Sequence, residues 1–196
     1  MIILFGAAGS GKSTQGRILA DKLGWRWLSV GQILRDTGRF AQTLLAGELV
    51  DDREVVRLMD HEIAKADADG AEIILDGYPR DVEQAQWLES QGTLAKIDAA
   101  IILKVPVDEL WNRIEKRGRA DDTREVVERR FRVYEDNVEK ILAILEANHV
   151  KIIEVDGVGS FDDITNELIA VIEENVGEVP VVDEHLGEAE ERSYGE

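Results

Sequence analysis

The chain has 196 residues, 44% of them apolar and 33% charged, which suits one domain with a packed core. Its 41 acidic residues outnumber 23 basic ones and leave a formal charge of −18, a field that disfavours nonspecific binding to nucleic acid. Cysteine is absent, which excludes disulfides and thiolate metal sites, and His61, His149 and His185 are scattered without ligand spacing, so no structural zinc is expected. No apolar run approaches the length of a membrane span. The first apolar run starts at Ile2 and leaves no room for a secretory signal, so the expectation is a soluble cytoplasmic protein with no membrane partner. From Glu173 to Glu196 there are nine acidic residues and one basic one. Residues 177–196, punctuated by Gly177, Pro180, Gly187 and Gly195, read as a loosely ordered acidic tail behind a domain over 1–176.

In chain order, Ile2-Ile3-Leu4-Phe5 reads as a strand over 1–5. It runs into Gly6-Ala7-Ala8-Gly9-Ser10-Gly11-Lys12-Ser13, which fits G-x-x-x-x-G-K-[ST]. A helical pattern over 12–23 follows, with Ile18, Leu19 and Leu23 on one face. Strand, glycine loop and helix in that order form the context of a phosphate-binding P-loop. Its glycines let backbone N–H groups point at phosphate oxygens, and the helix N-terminus adds partial positive charge. Lys12 would reach the terminal phosphates of ATP, Ser13 would offer a hydroxyl to Mg²⁺, and Gly9, Ser10, Gly11 and Thr14 complete the loop. Further strands are expected near 25–28, 71–76, 98–105 and 150–155. Helices are expected over 31–46, 52–68, 81–91, 107–117, 123–147 and 161–174. Strands alternating with helices imply an α/β fold with a mostly parallel sheet covered on both faces. The unbroken apolar runs Ile73-Ile74-Leu75 and Ala99-Ala100-Ile101-Ile102-Leu103 suit its buried central strands. Trp25 and Trp27 share a face of the short second strand and read as packing, as do Trp87 and Trp111 on their helices.

The third strand ends in an acid, Asp76, which in P-loop enzymes holds Mg²⁺, largely through water. It opens the run Asp76-Gly77-Tyr78-Pro79-Arg80, with Gln84 four residues on. Gly77 permits a sharp turn and Pro79 fixes the next φ, so the turn can aim a guanidinium at a phosphate. Here the sequence resembles the nucleoside monophosphate kinase family and, within it, the adenylate kinases of the short-lid type. The resemblance also rests on Thr14-Gln15 after the P-loop and on Ser29-Val30-Gly31-Gln32-Ile33-Leu34-Arg35. It extends through Gly47-Glu48-Leu49-Val50 to Arg113-Ile114-Glu115-Lys116-Arg117-Gly118-Arg119-Ala120-Asp121-Asp122, with Arg129-Arg130 beyond. It implies a P-loop three-layer α/β/α domain with a five-stranded parallel sheet in the order 2-3-1-4-5. It also implies reversible phosphoryl transfer from Mg-ATP to a nucleoside monophosphate. By this resemblance Arg35 and Arg80 clamp the acceptor phosphate, while Val30, Gly31, Leu49, Val50 and Gly77 surround the acceptor and Gln84 reads its base. Arg113 and Gly157 flank the donor base, and Arg117, Arg119 and Arg130 join Lys12 around the phosphates that move. Residues 31–52 would form a small acceptor-binding lobe and 117–124 a minimal lid. The short-lid members implied by the resemblance act as monomers. Arg124 and Arg132 read as a solvated face of their helix.

Some positions depart from the family pattern. Gln32 stands where an Asp near the metal's water shell is usual, and Gly47 comes only twelve positions after Arg35. Val30 favours a uridylate/cytidylate kinase, whereas Gln84 favours adenine, so AMP and UMP/CMP both stay open from sequence. A P-loop kinase for a small metabolite would lack the D-G-Y-P-R run. A nucleotide-binding regulatory module without turnover is the reading from another class, and the intact arginine set weighs against it. No N-K-x-D motif supports a GTPase.

Overall fold

The structure is a computed structural model and describes residues 1–40, 42–43, 50–119, 122–177 and 179. Five strands, β1 (Ile2–Phe5), β2 (Arg26–Ser29), β3 (Ile73–Asp76), β4 (Ala99–Lys104) and β5 (Lys151–Asp156), form one parallel sheet in the order β2-β3-β1-β4-β5. Among the described residues seven α-helices connect them: α1 (Lys12–Leu23), α2 (Val30–Asp36), α3 (Asp52–Ala68), α4 (Val82–Ser90), α5 (Val107–Arg117), α6 (Arg124–Ala147) and α7 (Phe161–Val176). A short 3₁₀ turn, Thr93–Lys96, leads into β4.

The sheet is apolar on both faces because β1, β3 and most of β4 are buried on both faces. Alternation then sorts side chains into two cores. Ile3 and Phe5 join Leu28, Leu75, Met59, Leu88 and Leu145 on the face covered by α2, α3, α4 and α6. Ile2 and Leu4 join Leu19, Ile74, Ile101 and Leu168 on the face covered by α1 and α7. Trp25 and Trp27 pack against this second core, as their alternation suggested. Trp111 meets the Phe131 ring edge-on at 5.5 Å and joins α5 to α6.

The expected helix over 31–46 is corrected by the structure: α2 ends at Asp36. Thr37 turns its hydroxyl back to the Leu34 carbonyl at 2.9 Å, and Gly38 takes φ +66°, a left-handed conformation that stops a helix. Residues 42–43 are helical again, and 41 and 44–49 lie outside the described residues.

Strand order positions the site. The chain leaves β1 for β2 on one side of the sheet and reaches β4 and β5 on the other, so the carboxyl ends of β3, β1 and β4 meet at a switch point. Ligands of open α/β sheets bind in the crevice outside such ends. The P-loop follows β1, Gly77 follows β3 and Gly157 follows β5, all at this edge.

Candidate active site

The P-loop closes between β1 and α1 by backbone geometry. Gly9 has φ +86°, and a Cβ there would lie 2.8 Å from the Leu110 carbonyl oxygen and 2.9 Å from Ile114 Cγ1, so only glycine fits under α5. Gly11, at φ +94°, starts α1 without a side-chain cap, and no acid occupies the first turn. The N–H groups of Lys12 and Ser13, the first of the helix, are therefore left to face the cleft as an anion seat. Ser10 is buried, and Thr14 starts the helical ladder through its N–H to the Gly11 carbonyl at 3.0 Å. Lys12 folds back with Nζ 3.3 Å from the Ala7 carbonyl. Burial lowers its pKa to about 8; Asp76 opposes the fall, and Arg80, Arg117 and Arg119 add to it. An ammonium held below its ordinary value among other cations has a strong electrostatic demand for an anion.

Lys12, Ser13 and Asp76 line one continuous cleft with Arg35, Arg80, Arg117, Arg119, Arg129 and Arg130. Asp76 is 1% exposed, and its Oδ2 has no hydrogen-bond partner among the described residues. A buried carboxylate oxygen without a donor, in the same cleft as Ser13, gives a hard-oxygen set that suits Mg²⁺ bound mainly through water and phosphate. Among the described residues no group of three or more His, Cys, Asp or Glu could hold a metal by itself. The structure thus fits a cation that arrives with a phosphate ligand.

On the lid side, Arg117 grips Asp122 with Nε at 2.8 Å and Nη2 at 2.6 Å, and Arg130 reaches the same carboxylate at 3.2 Å. Asp122 is 3% exposed at its side chain. Residues 120 and 121 of the expected lid lie outside the described residues. Arg129 also faces the cleft while pairing with Glu125 at 3.6 Å. Sequence reasoning quoted it without giving it a role; its spacing of four from Val133, another cleft residue, was the available signal. Arg124 is 85% exposed and pairs with Glu128 at 2.9 Å, as expected of a solvated face.

On the acceptor side, Gly77 at φ +70° turns the chain so that Arg80 Nε donates to the Gly77 carbonyl at 2.8 Å. A Cβ on Gly31 would lie 3.4 Å from both Arg35 Nη1 and Arg80 Nη2, so the two guanidiniums converge over this glycine. Burial lowers the Arg80 pKa; Arg130 and Arg35 lower it further, and Asp76 and Asp81 oppose them. Gln32 donates to Asp36 at 2.7 Å and accepts from Arg35 at 3.4 Å, so it holds an arginine. Gln84 is 3% exposed; its Oε1 accepts the Arg80 N–H at 2.9 Å and its Nε2 donates to Asp52 at 2.7 Å. The structure places Val30 and Val50 in the core, 2% and 7% exposed, and not among the residues that line the cleft. Leu49 lies outside the described residues.

On the donor side, Arg113 donates to the Ser10 carbonyl at 3.2 Å and the Gly157 carbonyl at 2.9 Å, and pairs with Glu109 at 2.7 Å. Its edge is committed to the protein, which leaves the planar face for stacking. Sequence reasoning missed what Gln15 does. Buried to 1%, it donates to the Phe161 carbonyl at 3.0 Å and accepts from Thr165 Oγ1 at 2.7 Å, which ties α1 to α7 beside the Gly157 turn.

A family model described as adenylate kinase matches residues 4–150. The chain belongs to the adenylate kinase family. The adenylate kinase of Maricaulis maris (strain MCS10) is 37% identical over 189 residues, 88% of this chain and 98% of its own length. That of Mycobacterium sp. (strain MCS) is 40% identical over 173 residues, 83% of this chain and 93% of its own length. That of Micrococcus luteus is 34% identical over 198 residues, 92% of this chain and 96% of its own length. The family match takes in the P-loop from Leu4, the Asp76–Arg80 turn and the lid arginines, while Gly157 and α7 lie beyond it. Like other adenylate kinases, this member is a phosphotransferase that uses ATP with Mg²⁺. No helix among the described residues is long and apolar enough to cross a membrane.

Proposed function

We propose that the chain transfers the terminal phosphoryl group of Mg-ATP reversibly to AMP, giving two ADP. The observation that carries the reading is the convergence of Lys12, Arg35, Arg80, Arg117, Arg119 and Arg130 on one cleft at the sheet's switch point. An anionic acceptor oxygen needs no general base, so the residues supply alignment and charge. Lys12 and the N–H groups of Gly9, Gly11, Lys12 and Ser13 hold the donor phosphates. Arg35 and Arg80 hold the acceptor phosphate in line, and Arg117, Arg119 and Arg130 spread over the transferring group. Ser13 and Asp76 would hold Mg²⁺ largely through water, and the chemistry it would supply there is charge neutralisation at the donor phosphates. Arg113 and the Gly157 turn seat the donor base. Gln84 reads the acceptor base, with Gly31 and Gly77 close under the acceptor and Val30 and Val50 backing the lobe.

Residues 1–176 act as one kinase domain, with 31–52 as the acceptor lobe and 117–124 as the lid. The chain works as a cytoplasmic monomer on free nucleotides, and its charge of −18 supports the lack of a nucleic-acid partner. A uridylate/cytidylate kinase is disfavoured by Gln84 and by relatives that carry the name adenylate kinase. A coupled assay with ATP, Mg²⁺ and AMP, UMP, CMP, GMP or dTMP tests the reading. ADP formation with AMP well above the others is expected. A preference for UMP or CMP would keep the mechanism and change the substrate, and no turnover with any acceptor would overturn both.

A further inference from the structure

We propose that Asp52 fixes which way the Gln84 carboxamide points, and that the acceptor site thereby takes 6-aminopurine monophosphates and refuses 6-oxopurine ones. The inference deepens the reading of Gln84 as the base reader and rests on it. A glutamine amide has two N–H donors and an oxygen with two lone pairs, and rotating it by half a turn exchanges donor for acceptor. A free glutamine can therefore meet adenine, which offers an acceptor at N1 and a donor at N6. It can equally meet hypoxanthine, which offers a donor at N1 and an acceptor at O6.

Gln84 has lost that freedom. Its Nε2 donates to Asp52 Oδ1 at 2.7 Å, and its Oε1 accepts the Arg80 N–H at 2.9 Å. The reversed amide would set Oε1 against a carboxylate that cannot donate and Nε2 against a backbone N–H that cannot accept. Both mismatches would be nearly dry, since Gln84 is 3% exposed. One N–H and one lone pair remain, in a single order. The backbone of Gln84 is held as well, because its N–H is the one that Asp81 Oδ1 accepts at 2.9 Å as the cap of α4. The two clamps come from distant parts of the chain: Asp52 opens α3, and Arg80 ends the turn after β3. Asp52 is a positioning residue, since it acts on the base through Gln84. It is separate from the cap of its own helix, which is Asp51 accepting from the Arg53 N–H.

The test compares kcat/KM for AMP and for IMP, which differ only at the edge in question, in the wild type, Asp52→Asn, Asp52→Ala and Gln84→Ala. Melting midpoints and the KM for ATP are measured alongside. Both Asp52 variants should lower the AMP-to-IMP ratio at least ~10-fold, since one missing polar match on a built site can be worth far more. The change should lie in the acceptor KM, with the KM for ATP within about twofold of the wild type, a split that a merely structural loss would not produce. Gln84→Ala should lower the ratio further, and adding Asp52→Asn to it should change nothing more. If Gln84→Ala lowers the ratio while both Asp52 variants keep it, the lock is wrong and the base reader stands. If Gln84→Ala keeps the ratio, the reader is wrong and the lock falls with it.

Discussion

The donor half of the cleft and the acceptor and lid half are built from different materials. On the donor side the backbone does most of the positioning. Gly9 is wedged under α5, Gly11 opens α1, and Arg113 and Gln15 are anchored on carbonyls of Ser10, Gly157 and Phe161. On the acceptor and lid side, Arg80 rests on the Gly77 carbonyl but most anchors are side chains: Asp122 holds Arg117 and Arg130, Gln32 holds Arg35, and Asp52 holds Gln84. A seat made of backbone changes little when one surface residue changes. A seat made of paired side chains can be retuned one residue at a time, which suits the half we assign to the second substrate.

The contrast can be broken most severely from the acceptor side. Arg80→Ala should lower kcat by at least ~10²-fold, by analogy with other positioned charge donors, and a loss below about fivefold in steady-state turnover would contradict its role. Gly9→Ala should act on the other half alone. A non-glycine residue in the left-handed region costs roughly 1–2 kcal/mol, which corresponds to about a five- to thirtyfold rise in the KM for ATP. Titration calorimetry should find AMP affinity nearly unchanged in this variant, and a parallel loss of AMP binding would show the halves to be coupled.

A smaller effect comes from Asp81, whose carboxyl is raised to about 6, chiefly by burial and also by the neighbouring Asp52, against the N–H bond from Gln84. A folded pKa above the ordinary 3.8 means that the native state binds this proton more tightly than the unfolded chain. Its contribution to stability is present below about pH 4 and is lost as pH rises through about 6. Asp81→Asn keeps a good helix cap and removes the charge, so it should raise the melting midpoint more at pH 8 than at pH 4. Equal shifts at both pH values would show that Asp81 ionises freely. Least of all should come from Arg124→Ala: an exposed pair such as Arg124 with Glu128 is worth about 0–1 kcal/mol, and chemical denaturation should show no larger change.

The same division explains what the sequence disclosed. Strands and most helices were readable because burial on two faces leaves unbroken apolar runs and helices leave a period, whereas the sheet order came from the family resemblance alone. The helix over 31–46 misled because Ile33 and Leu34 keep the period while Thr37 and Gly38 end the helix locally. The Thr93–Lys96 turn is shorter than any period that could announce it. Within the site, the P-loop and the arginines were legible because each sits in a compact local motif. Asp52, Asp122 and Gln15 were not given their roles, because what they do depends on partners the fold brings in. Gln15 meets Thr165 from 150 positions away and Asp52 meets Gln84 from 32, and no local pattern records such pairings.

The strap that Arg113 draws from the Ser10 carbonyl to the Gly157 carbonyl makes the phosphate loop and the donor base turn a single gauge. The span between the two is set before any nucleotide enters. With Gly157 seating the donor base as proposed, a donor would be measured by its length from ring to phosphate. A bare polyphosphate would engage only one end of that gauge.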